Sequence, residues 1–283
     1  RDIAATADVW FEGAAAIRER ISLLKSELAQ GQSALRAAYE ASDDAPQLLR
    51  GRCQLVDEVL KALWQDARLP PGLCLVAVGG YGRRELYPAS DIDLLFLLPD
   101  NVAQATERQL EALIGLLWDI GLDIGHSVRT VWQCLDEASR DITVQTNLLE
   151  SRLICGSRSL FAEYTGKIRA QLVPKAFFKG KRLEQDERYV RYQETPYALE
   201  PNCKESPGGL RDLQVILWIS RAAGMGDSWN DLARRGFITR GEALQIKGLE
   251  TFLRHARIRL HYLTARREDR LLFDHQEAVA NQF

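Results

Sequence analysis

The sequence predicts an α+β protein: a small mixed sheet with helices, followed by an all-α helical domain. Two observations predict it. Short apolar runs at 73–78, 92–98 and 122–132 alternate with helix-period segments over the first 130 or so residues. From Asp141 onward the period is helical almost throughout, broken conspicuously only at 195–209 by Pro196, Pro201, Pro207, Gly208 and Gly209.

Taken in order, residues 3–40 are Ala-rich with polar interruptions and read as one or two helices. At 47–64, Leu49, Cys53, Val56, Leu60, Leu63 and Trp64 share one helical face, and Leu69-Pro70-Pro71-Gly72 stops the helix. The run 73–78 reads as a strand, followed by Gly79-Gly80-Tyr81-Gly82 and a polar loop through Pro88. The run 92–98 is nearly continuous in apolar residues, as expected of a strand covered on both faces, and Pro99-Asp100-Asn101 closes it. Leu110, Leu113, Ile114, Leu117 and Trp118 mark a helix that Gly121 ends, and 122–132 reads as a third strand. Leu249, Phe252, Leu253, Ala256, Leu260 and Leu263 form the last amphipathic stripe. The predicted division is an N-terminal helical segment at 1–46, a mixed α/β domain at 47–140 and a helical domain at 141–283.

Composition narrows the function classes. At 283 residues the chain is long for one domain and natural for two. An apolar share of 46% and a charged share of 27% exclude disordered and fibrous classes, and no apolar run is long enough for a membrane span. With 37 basic and 39 acidic side chains the net charge is −2, which argues against a long nucleic acid as main partner but leaves a nucleotide open. Cys53, Cys74, Cys134, Cys155 and Cys203 are odd in number and lack any C-x-x-C pair, as expected of reduced thiols in a cytoplasmic protein. The first seven residues carry no signal-peptide core. A start at Arg1, with Met225 as sole methionine, suggests a fragment trimmed at the front. The helix-period stretch 175–191 holds six basic residues against three acidic ones, and reads either as a solvated face or as a surface for polyphosphate or a partner.

The chemistry is concentrated in 78–95. Asp91 and Asp93, two apart on a strand, point to one face and can share divalent metal ions; paired carboxylates at the start of an apolar strand are costly unless a cation or hydrogen bonds compensate. Gly79-Gly80 lets the backbone approach a ligand, with N–H groups free to face phosphate oxygens. A phosphate-cradling turn followed by two metal-binding carboxylates is what in-line attack on a nucleoside triphosphate requires. Neither a P-loop nor a dinucleotide fingerprint fits, since G-K-[ST] is absent and Glu85 stands where a third glycine is needed. His126, between Gly125 and Ser127, reads either as a general base or as a loop-orienting hydrogen-bonding residue. His255, His261 and His275 read as structural residues of helical stretches.

On these residues the sequence resembles the polymerase-β-like nucleotidyltransferases, whose signature is a Gly-Gly or Gly-Ser turn followed by D-x-D on the next strand. More narrowly, it resembles the bacterial bifunctional uridylyltransferase/uridylyl-removing enzymes that modify the PII nitrogen-signalling protein. The match lies in 79–95, in Gly125-His126-Ser127-Val128-Arg129-Thr130, in the block from Glu200 to Leu213 and in the tail 268–276, so it covers about 45 to the end. The resemblance implies transfer of UMP from UTP to a tyrosine of PII, with pyrophosphate released. It implies two magnesium ions, held by Asp91 and Asp93, in a cytoplasmic protein without nucleic-acid or membrane partners. Gly79, Gly80, Arg83, Ser90, Lys204, Gly208, Gly209 and Arg211 are the implied nucleotide-binding residues, with Lys204 and Arg211 closing over the cleft from the helical domain. Arg211 has a second reading, as an ion-pair residue with Asp212 or Glu205.

Two departures stand out. The family usually reads Gly-Arg-Gly where this chain has Gly82-Arg83-Arg84, and a third carboxylate common in the superfamily finds Asp123 as nearest candidate, with Asp141 as substitute. The family's metal-dependent HD hydrolase and its glutamine-sensing ACT domains are expected to be absent from this chain. Alternative functions are a glutamine-synthetase-modifying adenylyltransferase, which shares a similar K-x-x-x-G-G-[LI]-R-[DE] block, a non-catalytic nucleotide-binding regulatory module, and an RNA-tailing enzyme, which the net charge disfavours.

Overall fold

The computed structural model describes residues 14–192 and 197–283; the opening of the N-terminal helical segment (3–13) and Thr195-Pro196 of the proline-rich break lie outside them. The chain packs as two units. One takes the described residues up to Leu86 together with Ser90–Gln171, and the other takes Tyr87–Ala89 with Leu172–Phe283.

In the first unit, helices α1 (Ala14–Ser42) and α2 (Ala45–Asp66) lead into the sheet. The Asp44 carboxylate accepts from the Gln47 N–H at 2.8 Å and starts α2, with Pro46 in its first turn. There follow β1 (Cys74–Ala77), the short helix α3 (Gly79–Gly82), β2 (Ile92–Leu98), α4 (Gln104–Asp119) and β3 (Ile124–Thr130). Helices α5 (Val131–Arg140) and α6 (Ile142–Leu149), strand β4 (Arg152–Gly156) and helix α7 (Arg158–Gln171) complete the unit. The sheet order is β3-β2-β1-β4, with β1 antiparallel to β2 and β4, and β2 parallel to β3. The sheet is mixed, as expected. β2 is apolar apart from Asp93 because both its faces are covered. Leu94 and Phe96 pack with Leu60 of α2 and Leu113 of α4, while Leu95 and Leu97 pack with Cys134 of α5 and Tyr164 of α7.

The expectation of helices from Asp141 onward fails at β4. This strand pairs with β1, and α5, α6 and α7 cover the second face of the sheet. By contact, the chain divides after Gln171.

The second unit is helical among the described residues, with α8 (Pro174–Arg191), α9 (Leu210–Ala222), α10 (Trp229–Arg234), α11 (Arg240–Thr264) and α12 (Phe273–Ala280). A reciprocal Thr239–Glu242 capping box starts α11. Of its expected apolar stripe, Ala256 and Leu260 are buried, whereas Leu249, Phe252 and Leu263 are exposed. In α8, Lys175, Lys179, Arg182 and Arg191 are solvated, but Lys181 and Arg188 are buried in ion pairs with Glu184 and Asp212. All five cysteines are unbridged. Among the described residues, no helix is long and apolar enough to cross a membrane.

Candidate active site

The glycine turn and the acidic pair meet at Asp93. Strand alternation puts Asp93 on the Leu95–Leu97 face of β2, and the β2–β3 register sets it opposite Gly125. A Cβ on Gly125 would stand 2.8 Å from Asp93 Oδ1, and one on Gly79 would stand 3.1 Å from Asp93 Oδ2. The carboxylate thus lies between two residues that lack side chains, and Gly79 has φ +57°, which a glycine adopts without strain. The Val78 N–H donates to the Asp93 carbonyl at 3.1 Å and holds the start of α3 against β2. Gly80 has a different character: its nearest neighbours, the Glu85 carbonyl oxygen and an Arg83 nitrogen, would be 3.5 and 3.7 Å from a Cβ. Among the described residues, nothing requires glycine there.

The turn is braced from below. The Tyr81 hydroxyl donates to Asp57 of α2, and Arg152 of β4 grips the same carboxylate at 2.7 and 3.0 Å, with its guanidinium 5.2 Å from the Tyr81 ring centroid. Burial, reinforced by Asp57, pushes the Tyr81 phenol above its ordinary range, so it stays a donor. Gly82 is a steric necessity, because a Cβ there would fall 1.8 Å from the Glu150 carbonyl oxygen. Arg83, one of the expected nucleotide-binding residues, is ion-paired with Glu150 and with Glu85, the latter at 3.1 Å. Arg84, where the family usually has glycine, adopts φ +65°. The chain keeps the backbone turn and accepts a side chain in the left-handed region.

The remaining expected residues are placed less uniformly. Asp91 and Ser90 are half-buried in the segment just before β2, so Asp91 precedes the strand on which the two-residue spacing expects it. Asp123 is exposed just before β3, and its carbonyl accepts from the Ile92 N–H at 2.8 Å. Asp141, the substitute third carboxylate, is the N-cap of α6, accepting from the Thr143 and Val144 N–H groups at 2.6 and 3.2 Å. His126 pairs in register with Leu94, on the face opposite Asp93, with its ring 5.6 Å from that of Trp118 in a T-shaped contact. The structure does not bring it to the carboxylate. Sequence reasoning missed Asn147 of α6, whose Oδ1 lies 3.5 Å from the point where a Gly79 Cβ would be. A lone asparagine on a helix carries no local signal.

In the second unit, an Asx turn orders the Lys204 segment, with Asn202 Oδ1 accepting from the Lys204 and Glu205 N–H groups at 3.0 and 2.8 Å. Gly208 has φ +81°, and a Cβ on Gly209 would meet the Lys204 and Ser206 carbonyl oxygens at 2.8 and 2.9 Å. Arg211 binds Glu205 through two nitrogens at 3.0 and 3.3 Å and lies 5.3 Å from the Trp218 ring centroid, which favours the ion-pair reading with Glu205. Asp212 instead takes Arg188, Tyr189 and the Gly208 N–H. Lys204 lies 3.4 Å from Glu205, yet burial and the neighbouring Arg257 and Arg211 lower its pKa to about 8.

Residues 176–283 match the family model described as GlnD PII-uridylyltransferase. The bifunctional uridylyltransferase/uridylyl-removing enzyme of Aromatoleum aromaticum is 56% identical over 267 residues, 94% of this chain and 31% of that protein. The enzyme of the same name from Nitrosospira multiformis is 52% identical over 265 residues, 92% of this chain and 30% of its own length. That of Burkholderia pseudomallei strain K96243 is 49% identical over 259 residues, with 92% and 30% covered. A chain of the solved Shewanella oneidensis HEPN toxin–MNT antitoxin complex overlays with a TM-score of only 0.28 at 16% identity, over 50% of this chain and 97% of that one, a likeness too slight to build on. Over nearly all of its length, and across about three tenths of theirs, the chain is a sequence relative of the bifunctional uridylyltransferase/uridylyl-removing enzymes.

Proposed function

We propose that the chain transfers UMP from UTP to a tyrosine hydroxyl of a PII-type signal protein. The tyrosine oxygen bonds to the α-phosphorus and pyrophosphate leaves. The observation that carries this reading is the Asp93 carboxylate set between Gly79 and Gly125, two residues after Asp91. Hard carboxylate oxygens suit magnesium, and Asp91 and Asp93 would hold it. Bound there, magnesium supplies charge neutralisation of the triphosphate and a more acidic attacking hydroxyl.

The chain's own residues do the rest. Gly80 lets the backbone come close to a phosphate, since no internal neighbour occupies the place of its side chain. Tyr81, Asp57 and Arg152 fix the turn, and Arg83 locks its far end to Glu150. Lys204 offers phosphate oxygens an ammonium group, and Arg211 keeps Glu205 engaged beside it. The mixed α/β unit is in this reading the nucleotidyltransferase domain.

The test offers each α-labelled nucleoside triphosphate, with magnesium and a purified PII-type protein, and reads which label becomes covalent. Label from UTP on a tyrosine is expected. Label from ATP, or none, overturns the reading.

A further inference from the structure

The loop between Gly80 and Asp91 does not pack as one piece. Its middle, Tyr87–Ala89, belongs by contact to the helical unit, although Leu86 before it and Ser90 after it do not. The anchor is a buried polar cluster. The Ala89 N–H donates to His261 Nδ1 at 3.2 Å, and His261 Nε2 lies 3.0 Å from Asp269 Oδ1. Arg257 donates to both oxygens of Asp269, at 2.7 and 3.3 Å, and its guanidinium lies 3.9 Å from the Tyr87 ring centroid. Asp269 is held in turn by its backbone, which accepts from the Cys203 N–H at 2.8 Å. His261 is 1% exposed.

The partners assign the proton. Nδ1 accepts from a peptide N–H and so carries none, which leaves the hydrogen on Nε2, donating to Asp269. Burial, and then Arg257, lowers the His261 pKa against the pull of Asp269, consistent with a neutral ring. A neutral histidine of this one tautomer is what joins α11 to the peptide two residues ahead of Asp91.

We propose that His261 is a positioning residue for nucleotidyl transfer: by accepting from the Ala89 N–H it fixes the segment from which Ser90 and Asp91 continue towards β2. The inference rests on the function proposed above. Misplacing a reacting geometry by about 1 Å can cost on the order of 100-fold in rate, so an anchor of this kind acts on turnover more than on folding.

The side-chain lengths supply the test. The amide of asparagine ends at the δ position, where Nδ1 stands, and that of glutamine ends at ε, where Nε2 stands. His261→Asn therefore preserves the acceptor for Ala89, and His261→Gln preserves the partner of Asp269. The expected result is a turnover reduced about 10- to 100-fold in the glutamine variant, with KM for UTP unchanged, and restored to within about 3-fold of wild type in the asparagine variant. Amide exchange at Ala89 is expected to accelerate in the glutamine variant alone. Equal loss of turnover in both variants, tracking their melting temperatures, returns His261 to the scaffold and overturns the proposal, as does wild-type turnover in the glutamine variant. A measurement on the unaltered protein guards against misfolding of either variant: imidazole nitrogen shifts that place the proton on Nδ1 also overturn it. Wild-type protein that moves no UMP sinks the functional reading, and is distinguished from failure of the anchor by the Ala89 exchange result.

Discussion

Lys204 is a cation disfavoured first by its burial and then by neighbouring arginines. Burial, Arg257 and Arg211 bring its pKa to about 8, against an ordinary 10.5. Below about pH 8 the folded protein bears the cost of the charge, and between 8 and 10.5 the unfolded chain binds more protons, so this group adds stability as pH rises. A bound polyanion reverses the balance by favouring the ammonium form. UTP affinity is therefore expected to hold up to about pH 8 and fall above it, measured by calorimetry across pH 6.5–9.5. Lys204→Arg should move that fall well above pH 9, because a guanidinium stays protonated. Lys204→Ala should weaken nucleotide use by about 10- to 100-fold at pH 7, as expected for a charge-assisted phosphate contact of ~1.5–3 kcal/mol. A pH-independent affinity in the wild type would remove Lys204 from the phosphate site. Asp91→Asn and Asp93→Asn should each reduce transfer to background while melting holds, since each removes one of two neighbouring like charges. Near-normal turnover in both would leave no role for the metal pair. Partners were legible only in part: Glu205 stood as one of two ion-pair candidates for Arg211, and the structure pairs the two. Arg83, which the resemblance implies as a nucleotide-binding residue, pairs with Glu150, 67 residues later, a partner no sequence spacing announces.

Among elements, the legible ones were those whose pattern is local. β2 is a nearly continuous apolar run, broken only by Asp93 and covered on both sides, and α2 carries a one-face stripe with a proline-glycine stop. β4 was not legible. It is five residues long and opens on Arg152, whose charge is absorbed by Asp57, 95 residues earlier. No window of sequence contains both partners. The glycine turn was legible as a motif but not glycine by glycine, and its members should separate on substitution. Gly82→Ala drives a Cβ to 1.8 Å from the Glu150 carbonyl oxygen, a backbone atom, so α3 or the end of α6 must move. A loss of about 1–3 kcal/mol or more is expected by chemical denaturation. Gly80→Ala meets nothing closer than 3.5 Å and should keep or slightly raise stability. Its expected cost is in UTP affinity. Equal melting of the two variants would contradict the packing at Gly82.

At the scale of the whole molecule, the sequence pattern and the contacts draw different boundaries, and a truncation decides between them. A chain ending at Arg140 contains the whole helix-strand-strand-helix-strand pattern that the sequence presents as one unit. It lacks β4, which pairs with β1 along Cys74–Ala77, and it lacks the helices that bring Leu148, Tyr164 and Ile168 onto Leu95 and Leu97. Together with Ile154 of β4, these are four buried side chains, each contributing ~1.5–3 kcal/mol by leaving water. Their loss amounts to roughly 6 kcal/mol or more, comparable to the ~5–15 kcal/mol that stabilises an entire domain. It also uncovers an apolar face of the central strand and a row of unpaired groups on β1, both of which promote aggregation. A chain ending at Gln171 retains both faces and gives up the contacts of Tyr87–Ala89 with the helical unit. Residues 1–171 are expected to melt cooperatively and to keep dispersed amide resonances, whereas 1–140 should show neither. A cooperative transition in the shorter chain at the temperature of the longer one would restore the boundary at 140, and would mean that β4 and α7 decorate the sheet without holding it.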